Sequence, residues 1–113
     1  MAKIKRYTKA DGGYHNELGF MCPGCKCSHF INDNLTEIPN LPSNQIWTFN
    51  GNFEKPTIRA SILQFGYAHN EKTDKYDIII DRCHSFITDG NIQFLSDCQH
   101  SLAGQTVELP EIN

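Results

Sequence analysis

The stretch from Cys83 to His100 sets two cysteines and two histidines at the open end of a β-hairpin, and few folds accommodate that arrangement. Its centre, Asp89-Gly90-Asn91, combines residues that tolerate positive φ, and its arms, around Phe86-Ile87-Thr88 and Ile92-Gln93-Phe94, are β-branched and aromatic. With Gly90-Asn91 as the turn residues, Cys83 faces Cys98 on one side of the ribbon and His84 faces Asp97 on the other. An Asp89-Gly90 turn slips the register by one and leaves Cys98 diagonal to Cys83. In either register two thiols meet where a strand pair ends. A second pair, Cys22-Pro23-Gly24-Cys25, lies about sixty residues upstream.

The rest of the chain reads as strands and loops. Ile4 to Tyr7 and Glu17 to Met21 are short strands around the loop signal Asp11-Gly12-Gly13, with residues 1–16 a flexible or edge-strand arm. Asn32 to Asn44 is rich in Asn, Pro, Ser and Asp and forms a surface loop. Ile46 to Phe49, Thr57 to Leu63 with an extension through Phe65 and Tyr67, Tyr76 to Asp81, and Thr106 to Leu109 complete the strands. Ser101 to Gln105 leaves room for one helical turn. No apolar set holds a helical period for three turns. The expected fold is mainly β with little helix: one small domain over residues 1–113, an antiparallel zinc-ribbon-like sheet with hairpins.

The 113 residues suffice for one core, and a charge of −3 with a pI near 5.9 provides no broad basic field. Nucleic-acid contact is therefore disfavoured, Lys3, Lys5, Arg6 and Lys9 being the one local basic cluster. No apolar run is long enough to span a bilayer and no signal-peptide core follows Met1, which places the protein in the cytoplasm, away from membranes. Five cysteines in that compartment point to metal ligation or catalysis rather than a disulfide framework.

The Cys22-Pro23-Gly24-Cys25 spacing forms a knuckle whose backbone amides face the sulfurs, and the hairpin end supplies the second half of a tetrahedral Zn2+ site. A thioredoxin-like pair shares the spacing but needs a following helix, which the stretch after Phe30 does not provide. The expected ligands are Cys22, Cys25, Cys83 and Cys98, with His29, His100 and His84 as substitutes. Cys27, His15 and His69 are expected as ordinary residues. His15-Asn16-Glu17 ahead of the knuckle superficially matches a zinc-deaminase signature, although five residues cannot span two helix starts.

Cys22-Pro23-Gly24-Cys25, Trp47-Thr48-Phe49-Asn50-Gly51-Asn52, Lys55-Pro56-Thr57-Ile58, Cys83-His84-Ser85-Phe86-Ile87-Thr88-Asp89-Gly90 and Asp97-Cys98-Gln99-His100 together resemble a family of small phage and prophage proteins. Its members are sometimes labelled ammonia monooxygenase-like, and related domains sit beside bacterial ubiquitin-like conjugation genes. The resemblance implies a zinc-binding domain, in the host cytoplasm if phage-encoded, and carries over to Cys22, Cys25, His29, Cys83, His84, Cys98 and His100. The chain departs at Arg59-Ala60-Ser61, where members often carry a proline before the serine, and in having Cys27. Two functions follow as expectations. The first is an interaction module whose zinc holds a fold that engages a host or phage protein, with exposed sheet edges that also allow a homodimer. The second is a metal-dependent hydrolase in which His84, oriented by Asp97 and with His100 close by, acts as general base.

Overall fold

The computed structural model describes residues 2–8, 17–35 and 46–112. The expected loop at Asp11-Gly12-Gly13, most of the loop after Asn32, and His15 lie outside the described residues. Eight strands run in the order β1 (Lys5–Tyr7), β2 (Glu17–Cys22), β3 (Cys27–Ile31), β4 (Thr48–Phe49), β5 (Ile58–Asn70), β6 (Lys75–Thr88), β7 (Asn91–Phe94) and β8 (Thr106–Glu108). They form two antiparallel sheets, β1-β2-β3 and β4-β5-β6-β7-β8. No helix occurs among the described residues, and Ser101 to Gly104 are turns. Among these residues, therefore, no helix is long and apolar enough to cross a membrane.

The core lies between the sheets, where Leu18, Phe20 and Cys22 of the small sheet meet Ile58, Ile62, Cys83, Ile87, Ile92 and Phe94 of the large one. Strand alternation dictates which residues reach it. In β6, Cys83, Ser85 and Ile87 are buried while His84 and Phe86 are only half-buried. One strand thus sends Cys83 inward and His84 to the outer face. Basic residues of the N-terminal segment are engaged: Lys3 pairs with Glu108, and Arg6 holds the fully buried Asp33 through two contacts of 2.6 and 2.9 Å.

The hairpin register differs from the one that sets Cys83 opposite Cys98. Thr88 pairs with Asn91 and Ser85 with Phe94, so Asp89-Gly90 is the turn. Both turn residues have positive φ, 49° and 82°, the combination that matches the twist of the flanking strands. Gly90 also lies under the Glu54 carbonyl, which a Cβ would approach to 3.3 Å.

Two irregularities shape the long β5–β6 pair. Ile58 pairs with Ile87 and Ile62 with Ser85, so four steps of β5 span two of β6 and Arg59-Ala60-Ser61 bulge outward. Such bulges re-aim side chains. Further out, Gln64 pairs with Cys83 and Gly66 with Ile80, with Asp81 at φ 55° absorbing the extra β6 residue. Beyond it, the ribbon tip from Glu71 to Ile80 is exposed.

Candidate active site and metal centre

Two clusters of reactive side chains sit on opposite faces of β6. On the outer face, Leu63 of β5 is paired with His84 of β6, and the bulge before Leu63 swings Ser61 towards the imidazole. Ser61 Oγ lies 2.9 Å from His84 Nε2, and Asp97 Oδ2 lies 3.3 Å from His84 Nδ1. The carboxylate fixes the tautomer: Nδ1–H donates to Asp97, which leaves Nε2 to accept the serine proton. His84 is a quarter exposed and Asp97 about half, so the constellation opens to solvent.

Each member is held from behind. The Trp47 indole N–H donates to the Ser61 carbonyl at 3.0 Å. Trp47 is itself clamped, its N–H donating to the Asn32 carbonyl at 2.8 Å and its carbonyl accepting from Asn34 N–H at 3.0 Å. The segment after β7 lies along β6: Leu95 N–H donates to the His84 carbonyl at 2.9 Å, and Gln99 N–H to the Arg82 carbonyl at 2.9 Å. Gln99 Oε1 accepts from Arg82 N–H at 2.8 Å. Asp97 is thereby carried to His84.

Cys98, expected as a metal ligand, is placed differently. Its Sγ accepts from His84 N–H at 3.2 Å and donates to the His84 carbonyl at 3.2 Å. This thiol closes on the backbone of the histidine, a consequence of the Asp89-Gly90 register.

On the inner face, the donor atoms of Cys22, Cys25, Cys83 and His100 all lie within 4.8 Å of one another. Three of the four expected ligands are thus together, with His100 rather than Cys98 as the fourth donor. Cys22 and Cys83 Sγ are 3.7 Å apart, which matches the roughly 3.8 Å between two sulfurs at about 2.3 Å from a tetrahedral zinc. The knuckle turn behaves as its spacing predicts, with Cys25 N–H donating to Cys22 Sγ at 3.4 Å. His100 packs edge-on to Phe94, the ring centroids 4.5 Å apart. It also lies against Gly24, where a Cβ would come within 2.3 Å of the imidazole. His100 Nε2 is buried without a hydrogen-bond partner. Leu102 N–H donates to Nδ1 at 3.2 Å, so the neutral ring carries its proton on Nε2; a metal held at that nitrogen would take the proton's place.

The thiol electrostatics fit a cation. The Cys83 thiol donating to Cys22, with His29 and the Cys25 amide assisting against burial, lowers Cys22 to about 4. Burial, then the neighbouring Cys22 thiolate, push Cys25 up to about 12. The hydrogen bond to Cys22 and burial likewise push Cys83 far up. Only one negative charge is comfortable here until a positive ion arrives. His29, buried on β3 against Phe20, groups instead with Cys25 and Cys27. His69 pairs with Asp74 at the exposed ribbon tip.

Of the outer-face residues, His84 and Asp97 were legible in the sequence and Ser61 was not. It lies 23 residues before His84, no glycine-flanked nucleophile motif surrounds it, and a bulge creates the contact. The unusual Arg59-Ala60-Ser61 was the one local signal.

The family model for the bacterial ubiquitination-like system serine protease (BubE) matches residues 1–95, which include Ser61 and His84 and stop two residues short of Asp97. No curated protein and no solved structure matches the chain. The match agrees with the ubiquitin-like association of the motif resemblance and speaks neither to a phage source nor to zinc. Because it covers most of the sequence, the chain belongs to the BubE family.

Proposed function

We propose that the protein is a serine peptidase acting in a ubiquitination-like system, with Ser61 as nucleophile, His84 as general base and Asp97 as the carboxylate that orients it. The observation carrying this is the unbroken relay from Ser61 Oγ to His84 Nε2 at 2.9 Å and from His84 Nδ1 to Asp97 Oδ2 at 3.3 Å. The family's description as a serine protease supports it.

In the first half-reaction Ser61 Oγ bonds to the substrate carbonyl carbon while its proton passes to His84 Nε2. The C–N bond then breaks, the amine leaves with that proton, and the acyl group stays on Ser61 as an ester. In the second, His84 takes a proton from water, the hydroxide adds to the ester, and Ser61 departs with the proton returned. Asp97 remains ionised throughout and stabilises the imidazolium that forms twice per cycle.

Zn2+ is the metal proposed for Cys22, Cys25, Cys83 and His100, because three thiolates and one imidazole are a structural zinc donor set. It would supply a cross-link between β2, β6 and the segment after β7. Four protein donors leave no open position for water, so bond breaking is assigned to Ser61 rather than to a metal-bound hydroxide.

The test is labelling with a fluorophosphonate, which reacts with activated serines. The folded wild-type protein is expected to gain one adduct, mapped to Ser61, and Ser61→Ala none. An unlabelled wild type, or a labelled Ser61→Ala protein, would overturn the assignment.

A further inference from the structure

The outer face of β5 has its polarity inverted. Ile62 is buried, and alternation from it turns Leu63, Phe65 and Tyr67 outward, 46%, 41% and 55% exposed. Tyr67 is paired with Ile79, itself 36% exposed, and the Phe65 and Tyr67 rings stack edge to face with centroids 5.3 Å apart. This row begins at the nucleophile. Leu63 is paired with His84, whose Nε2 meets Ser61 Oγ, so the serine hydroxyl stands on the same face as the apolar side chains.

Among the described residues, the edge of the same strand is uncovered past Ser61, whose carbonyl is taken by Trp47. β4 covers β5 at Ile58 and Arg59, and no further strand lies along it among the described residues. The Ser61 carbonyl points to that side, since it accepts from Trp47. Backbone groups alternate along a strand, so the N–H and C=O of Leu63, Phe65 and Tyr67 face the same way. An open edge with a matching side-chain row is what a bound strand requires: main-chain hydrogen bonds for affinity and every second side chain for selection. A folded partner's edge strand shares the repeat of about 3.3 Å per residue, but only an extended segment free of its own sheet can also lay a peptide bond across Ser61.

We propose that the substrate of Ser61 is an extended peptide that adds as a strand to the open edge of β5, with apolar side chains at alternate positions over Leu63, Phe65 and Tyr67. The proposal rests on Ser61 being the nucleophile. From Ser61 to Tyr67 is about 20 Å, so the apolar positions fall roughly two, four and six residues from the scissile bond, all on one side of it.

The experiment is cleavage-site profiling of a peptide library prepared by digesting a bacterial proteome, using the full chain, with fluorophosphonate labelling run in parallel. Wild-type cleavage sites are expected to show aliphatic or aromatic residues enriched at alternate positions on one side. Tyr67→Asp should lower kcat/KM for such peptides about tenfold relative to peptides lacking the pattern. It should also gain a preference for Lys or Arg at the position facing residue 67, which a misfolded protein could not acquire. Absence of labelling defeats the nucleophile assignment itself. Labelling with no library peptide cleaved, with no alternate enrichment, or with an unchanged preference in Tyr67→Asp overturns the strand proposal and leaves Ser61 in place.

Discussion

Cys98 and His100 are two residues apart and are assigned opposite duties, so truncating each in turn is a sharp test. Cys98→Ala removes the sulfur that accepts from His84 N–H and donates to the His84 carbonyl, both at 3.2 Å. Losing two modest hydrogen bonds and leaving a half-buried amide unpaired costs about 2 kcal/mol. For 113 residues, with an unfolding entropy of about 2.1 cal/mol/K per residue, that lowers Tm by roughly 8 °C. The His84 ring is then less firmly aimed at Ser61, and a displacement near 1 Å lowers turnover by about 10²-fold. Zinc content should stay at one per chain. His100→Ala should do the reverse to the metal: affinity falls by more than the 10 to 100-fold typical of groups that only support ligands. The assays are elemental analysis of protein purified without added metal, a chromophoric zinc competition, thermal unfolding, and the rate of fluorophosphonate labelling. A Cys98→Ala protein that loses its zinc beside a His100→Ala protein that keeps it would refute both assignments.

Three further outcomes are expected. Gly24→Ala places a Cβ within 2.3 Å of the His100 ring, so the imidazole must swing away; zinc affinity should fall as in His100→Ala, and the double variant should be no weaker than either single one. Asp97→Asn cannot hold His84 in the tautomer that accepts from Ser61 and should slow labelling by about 10³ to 10⁴-fold with the thermal midpoint little changed; a loss below about tenfold would remove Asp97 from the relay. Zinc uptake at pH 7 should release about two protons, from Cys25 and Cys83, because Cys22 is already a thiolate there. Affinity should therefore weaken about a hundredfold per unit as pH falls towards 6. Calorimetry in buffers of different ionisation enthalpy reads the proton count, and a value near zero would contradict the charge distribution among the thiols.

The strands were largely visible in the sequence because alternation of buried and exposed residues is a local signal. Glu17–Cys22 and Thr106–Glu108 fall within a residue of their expected spans. β5 runs further than expected, since Gln64 to Asn70 carries few of the β-branched residues that mark strands, and β6 joins the expected Tyr76 to Asp81 strand to the first hairpin arm. The knuckle was equally local, and Cys22, Cys25 and Cys83 do converge. Which residue joins these three cysteines turned on one residue of hairpin register, which two adjacent residues able to take positive φ leave ambiguous until Gly90 meets the Glu54 carbonyl. The Ser61–His84 contact was the least legible part, because a bulge depends on how two distant segments pair and leaves no periodic trace.

That Cys83 and His84 point to opposite faces of one strand ties the two side-chain clusters to the parity of its residue count. A single-residue insertion or deletion between Gly90 and Cys83 would not merely disturb each site: it would send a thiol to the solvent side and an imidazole into the core. Descendants of this chain can change loop lengths freely at the ribbon tip around Glu71 to Asp74, where an added residue stays in the turn and leaves the pairing of β6 with β7 untouched. Within β6 they can vary only by substitution, or by paired changes that restore the count.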